Sequence, residues 1–180
     1  GSYLKSDLPN ARYAFNNSVI MNKGAGLYFH PIADPVMEKI GKKGKTTEFI
    51  YHDVMVEESI LYFILYKFAK DLPVETQSYI DSLKETKTKT VTEVIKENIV
   101  EIVVDEATGE EKEVKKVVSK NISTEVSYEY TSLVADFGKD EKFLELLNDM
   151  LAKKDTFSLM VGEDLITHPN SENLAKLCGI

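Results

Sequence analysis

The strongest pattern in the chain lies between residues 57 and 70, where Ile60-Leu61-Tyr62-Phe63-Ile64-Leu65-Tyr66 and then Phe68 are apolar almost without a break. Glu57 and Glu58 precede the run and Lys67 and Lys70 close it, the charge order that suits a helix dipole. Asp53 is placed to cap this helix and Pro73 to stop it. A helix with so little polar face is expected to be buried on more than one side. The run stops well short of the roughly 18 apolar residues that a membrane span needs.

Four further helices follow from spacing and punctuation. Asp34-Pro35 supplies a cap and a first-turn proline for a short helix carrying Val36, Met37 and Ile40, expected to stop at Gly41. A short helical stretch over 74–84 comes after Pro73. Asp140 and Glu141 open an amphipathic helix with Phe143, Leu146, Leu147, Met150 and Leu151 on one side, ending at Lys153-Lys154. Asn170 is placed to cap a terminal helix with Leu174 and Leu177, closed by Gly179.

Strands are predicted where β-branched residues crowd together. Residues 47–53 read as one, and Thr156 to Val161 as the last. Residues 86–104 carry Val91, Val94, Ile95, Ile99, Val100, Ile102, Val103 and Val104, a density that favours strand over helix. A turn over 105–110 puts Gly109 at a left-handed position, and 112–133 return as a partner strand. A hairpin this long is expected to hold a bulge or bend.

From residue 47 the order is therefore β-α-β-β-α-β. It predicts an α+β fold of the ferredoxin-like kind, an antiparallel four-stranded sheet with two helices on one face and a long central β-hairpin. The expected organisation is a single domain over 3–180, with an N-terminal extension of short strands and turns (3–46), the core (47–161) and a C-terminal short helix (162–180). Gly1-Ser2 reads as the remnant of an affinity tag.

Charge narrows the partners. The net charge is −8, with +3 in residues 1–50 and −11 in residues 51–180. Arg12 is the lone arginine, so the side chain best suited to bidentate phosphate contacts is nearly missing. General nucleic-acid binding is not expected. A single cysteine, Cys178, forms no internal disulfide and fits a reducing, cytoplasmic compartment.

Candidate chemistry is thin. Gly41-Lys42-Lys43-Gly44-Lys45-Thr46 resembles a broken phosphate loop, with glycines too close together and a helix where the mechanism needs a strand. A looser anion site from Lys42, Lys43 and Lys45 is the most it offers. His30, His52 and His168 stand at no metal-ligand spacing, so neither a metal site nor a cofactor is expected; their convergence in space is the one route to such a site. Tyr128 and Tyr130 share a strand face, read as packing and not as a base-stacking platform.

The hairpin carries the functional reading. Strands near 20 residues would reach about 60 Å if straight, and their β-branched residues need cover that a monomer does not offer. The expectation is a non-enzymatic interaction or assembly protein, a homo-oligomer or the partner of another protein. It meets that partner through Val94, Ile99, Ile102, Val104, Val114, Val117 and Ile122. Lysine in place of arginine, no Trp and many Asn and Ile suit an AT-rich phage or bacterial genome. The alternative, from a different class, is a small metal- or phosphate-dependent hydrolase or ligand-binding protein built on the three histidines.

Overall fold

A computed structural model describes residues 9–44, 46–104, 111–152 and 156–180, with backbone alone at 44, 98–104, 111–116 and 164. The first half runs α1 (Pro9–Asn16), a π-helical turn (Asn17–Met21), β1 (Gly26–His30), α2 (Pro35–Gly44), β2 (Thr47–Tyr51), α3 (Glu57–Phe68) and α4 (Val74–Ser82). The second runs β3 (Lys84–Val104), β4 (Glu111–Thr131), α5 (Leu133–Asp136), α6 (Glu141–Leu151), α7 (Asp164–Thr167) and α8 (Ser171–Cys178). The fold is mixed α+β, in two compact units: Gly1–Glu85 with Tyr130–Ile180, and Thr86–Glu129.

Helix α3 organises the first unit, buried on two sides as its composition requires. Ile60 and Phe63 face a core with Leu133, Val134 and Phe137 from the turn at α5 and Phe143, Leu144 and Leu147 from α6. Leu61 and Leu65 face a second core with Ile80 of α4 and Leu174 and Leu177 of α8. Phe63 is fully buried, its ring 5.3 Å from Phe137 and 5.9 Å from Phe143 between centroids. Those spacings suit tilted and edge-on aromatic contact.

Strands β1 and β2 pair in parallel, Gly26 opposite Thr47 through His30 opposite Tyr51, with α2 as the crossover. Asp34 caps α2 as expected, its Oδ1 accepting from the Val36 and Met37 N–H groups at 2.9 and 3.2 Å. Met37 and Ile40 of α2 close a third core with Phe15 and Val19.

Several expectations need correction. The ferredoxin-like sheet is not formed: among the described residues β1 pairs with β2 and β3 with β4, in separate two-stranded sheets. The crossover through α2 returns β2 to β1 and not to the hairpin, so the two pairs remain separate sheets. Residues 156–162 form no strand, and Phe157, Leu159, Met160 and Val161 are all exposed. Within 3–33, where strands and turns are expected, residues 9–21 are helical. Pro9 starts α1, and Phe15 and Val19, four apart, are the buried pair of its apolar side.

Gly41 does not stop α2, which runs on to Gly44. The glycine is there for contact: a Cβ on it would overlap the Phe49 ring of β2. Asp53 does not cap α3. Met55 takes a left-handed φ of 76° between them, and the helix starts at Glu57 with Val56 in the cap position and no side-chain cap bond. The Asn170 side chain likewise makes no cap bond and donates to Glu58 Oε2 at 3.4 Å. The expected boundary at 46/47 cuts through the β1-α2-β2 unit. Gly109 and its turn lie outside the described residues.

Phe63 is the position whose loss should be felt most. Phe63→Ala removes a fully buried ring from the larger core and is expected to cost about 3–5 kcal/mol, read as a fall in the urea midpoint with an unchanged m-value. A cost below about 1 kcal/mol would mean that α3 does not organise this unit.

Candidate functional site

The β3–β4 hairpin has a register fixed by two contacts. The Ser132 N–H donates to the Leu83 carbonyl at 3.1 Å, and the Thr92 and Ser123 hydroxyls lie 3.2 Å apart. The interval between these contacts is nine residues on each strand, and twelve more on each reach Val104 and Glu111. The strands are therefore antiparallel with equal counts, and the expected bulge is not required.

Alternation then assigns side chains to faces. Thr92 and Ser123 mark one face, and Lys89, with its ammonium 5.7 Å from the centre of the Tyr128 ring, marks the other. Val94 (58% exposed) and Val117 (59%) fall on the first; Ile122 (40%) falls on the second with Ile95, Val118 and Val126. The expected interface set thus straddles two faces and omits Val91, Ile95, Val118 and Val126. Pairing Leu83 with Ser132 in the sequence is the step that would have found them. The side chains of Ile99, Ile102, Val104 and Val114 lie outside those described.

A second polar cluster sits where β1 and β2 end and α2 begins. The His30 ring stacks on Tyr28 (centroids 5.8 Å, 15° between planes), and its Nδ1 lies 2.6 Å from the Ile32 carbonyl and 3.0 Å from the Ile32 N–H. Tyr51 donates its hydroxyl to Glu38 Oε1. Burial, reinforced by the Asp34 charge, pushes the Tyr28 phenol up to about 12. Burial and then the Glu38 hydrogen bond push Tyr51 up to about 12, and the same bond holds the Glu38 carboxyl below its ordinary value. Phenols held this high are poor proton donors or acceptors near neutrality. The Asp34 Oδ1 is engaged as a helix cap. The arrangement fixes the turn between strand and helix.

The other histidines keep separate company. His52 is buried, with Nδ1 2.8 Å from the Asp53 carbonyl. His168 accepts the Asn170 N–H at Nδ1 (3.0 Å), which leaves the proton on Nε2, 3.4 Å from Glu57 Oε2. Glu58 beside it takes the Asn173 amide at 2.7 Å, so the residues before and within α8 clasp the first turn of α3. Among the described residues no three His, Cys, Asp or Glu side chains form a group that could hold a metal.

The lysine loop is part of a helix. Lys42 and Lys43 occupy the last turn of α2, and Lys42 Nζ lies 3.6 Å from Glu38. The carbonyl end of a helix attracts cations and repels anions, so the polarity there opposes the expected anion site. Lys45 lies outside the described residues. Burial pushes the Cys178 thiol up, away from the thiolate a nucleophile needs. Cys178 lines a groove of about 790 Å³ with Val161, Leu165, Ile166, Leu174 and Ala175, which is mainly apolar. No helix among the described residues is long and apolar enough to cross a membrane.

The Tyr28 environment has a measurable consequence. Its phenol stays neutral in the folded chain up to about 12, whereas the unfolded chain ionises near the ordinary value of 10.0. This contribution to stability is present in full below pH 10 and is lost as pH rises through the folded value. Tyr28→Phe should flatten the fall in urea midpoint between pH 9.5 and 12, and absorbance at 295 nm should lose one late-titrating phenol. An unchanged titration would place Tyr28 in solvent. Family models, curated proteins and solved structures give no match to this chain.

Proposed function

We propose that the chain is a non-enzymatic interaction or assembly protein that associates with further copies of itself through the β3–β4 hairpin. The observation that carries this reading is a ribbon that, among the described residues, has two strands, each 21 residues long, whose Val94, Ile95, Val117, Val118, Ile122 and Val126 are all exposed. An isolated two-stranded sheet is marginal in water, because it has no second layer on which to bury a face. Strands of this length need that layer more than short ones do, since every added residue costs conformational entropy. Association supplies the layer, and a symmetric assembly of identical chains is its commonest form.

The polar clusters support the same reading by what they do locally. Tyr51 and Glu38 tie β2 to α2, and Glu57 and Glu58 hold His168, Asn170 and Asn173 against α3.

Light scattering on the full chain at tens of micromolar should give a mass above that of one 20.3 kDa chain. Joining Lys87 to Tyr128, which face each other in this register, through a two-residue turn removes all six of the exposed aliphatic residues and should give a monomer with its urea transition intact, because the helical unit has cores of its own. A monomeric wild type, or a shortened chain with undiminished mass, would refute the proposal.

A further inference from the structure

Resting on the self-association reading, the geometry points to one face of the hairpin as the contact, and we infer that the aliphatic face packs flat against the same face of a second copy. The occupant is this chain, and the contact is sheet on sheet, not the addition of one strand edge to another.

The two faces differ in kind. With Leu83 opposite Ser132 and Thr92 opposite Ser123, alternation puts Thr86, Thr88, Thr90 and Thr92 on one face with Ser119, Asn121, Ser123 and Ser127. That face is a hydroxyl surface with two isolated valines, Val94 and Val117, and water satisfies it well. The opposite face gathers Val91, Ile95, Val118, Ile122, Val126 and Tyr128. On it Ile95, Val118, Ile122 and Val126 are 40–42% exposed, against 58–59% for the two valines on the hydroxyl side. In this register Val91 lies diagonal to Ile122 and Val126, and Ile95 to Val118 and Ile122, so the aliphatic residues run as one diagonal row between Lys89, Glu93, Glu97 and Lys120, the row that a second layer would cover.

Three properties select a second copy as the occupant. The first is charge: among the described side chains the aliphatic face carries Lys87, Lys89 and Lys120 against Glu85, Glu93 and Glu97, a balance in a chain of net −8. A nearly neutral face meets its own copy without repulsion and gives a strongly charged partner nothing to recognise. The second is area. A two-stranded ribbon of this length is about 70 Å by 10 Å, or about 700 Å² on each copy, and two such faces reach the standard range of roughly 1,200–2,000 Å² for a stable interface. The third is stability, since stacking two ribbons about 10 Å apart supplies the second layer that a two-stranded sheet needs.

The test compares two charge pairs on one strand by sedimentation equilibrium of the full chain. Val118→Glu with Ile122→Glu strikes the aliphatic face; Ser119→Glu with Ser123→Glu adds the same charge one residue along, on the hydroxyl face. The expected result is at least a 100-fold weaker association for the first pair and less than a threefold change for the second. Val118→Thr with Ile122→Thr keeps β-branching and strand propensity while removing the apolar contact, and should weaken association at least tenfold with far-UV circular dichroism unchanged. Equal weakening by the two glutamate pairs, no weakening by either, or undiminished association of the threonine variant would overturn the face assignment. If association survives the aliphatic-face variants but is lost on shortening the hairpin, the self-association reading stands and this inference fails. If the wild type is monomeric, both fail.

Discussion

Burial of α3 on two sides is the constraint from which the rest of the helical unit follows. A helix apolar nearly all round cannot rest on a single layer, so it draws one set of elements to each side: α5 and α6 to Ile60 and Phe63, α4 and α8 to Leu61 and Leu65. Its acidic residues lie in its first turn, where Glu57 and Glu58 face the positive end of the helix and receive His168, Asn170 and Asn173. The side chains that secure its start therefore also fix where the C-terminal segment lies. Hydrophobic and polar contacts act on the same helix and reinforce each other.

Much of this was legible in the residues because it is local. The apolar run of α3, the Asp34-Pro35 start of α2 and the Asp140 cap of α6, whose Oδ1 accepts from Lys142 and Phe143, are read within a few positions. Pairing between strands is not local. Residues 47–51 carry no sign of their partner, and only the short crossover through α2 makes β1 the nearest strand. The Phe157–Val161 stretch looks like a strand by composition, yet among the described residues no strand pairs with it. Gly41 shows a similar limit: as a letter it reads as a helix stop, and only the Phe49 ring beside it reveals a packing role.

The candidate site was legible in part. Strand propensity located the hairpin and its length, but a choice of faces needs the register, which depends on a pair of residues nearly fifty positions apart. Without it, Val94 and Val117 look equivalent to Ile122. With it, they belong to a hydroxyl surface and Ile122 to an aliphatic one. The histidines show the reverse case, since their sequence neighbourhood (each beside an Asp or a Pro at an element boundary) already pointed to the local hydrogen bonds they make.

The equal strand counts of the hairpin also bear on how its length can change over generations. Successive residues point to opposite sides, so a single insertion in one strand must either be absorbed as a kink or turn every residue beyond it over. Paired additions, two on each strand, would lengthen the ribbon and leave each surface as it was. An arm of this design should grow or shrink in steps of four residues, and chains descended from a common ancestor should differ in its reach far more readily than in the order of side chains along it.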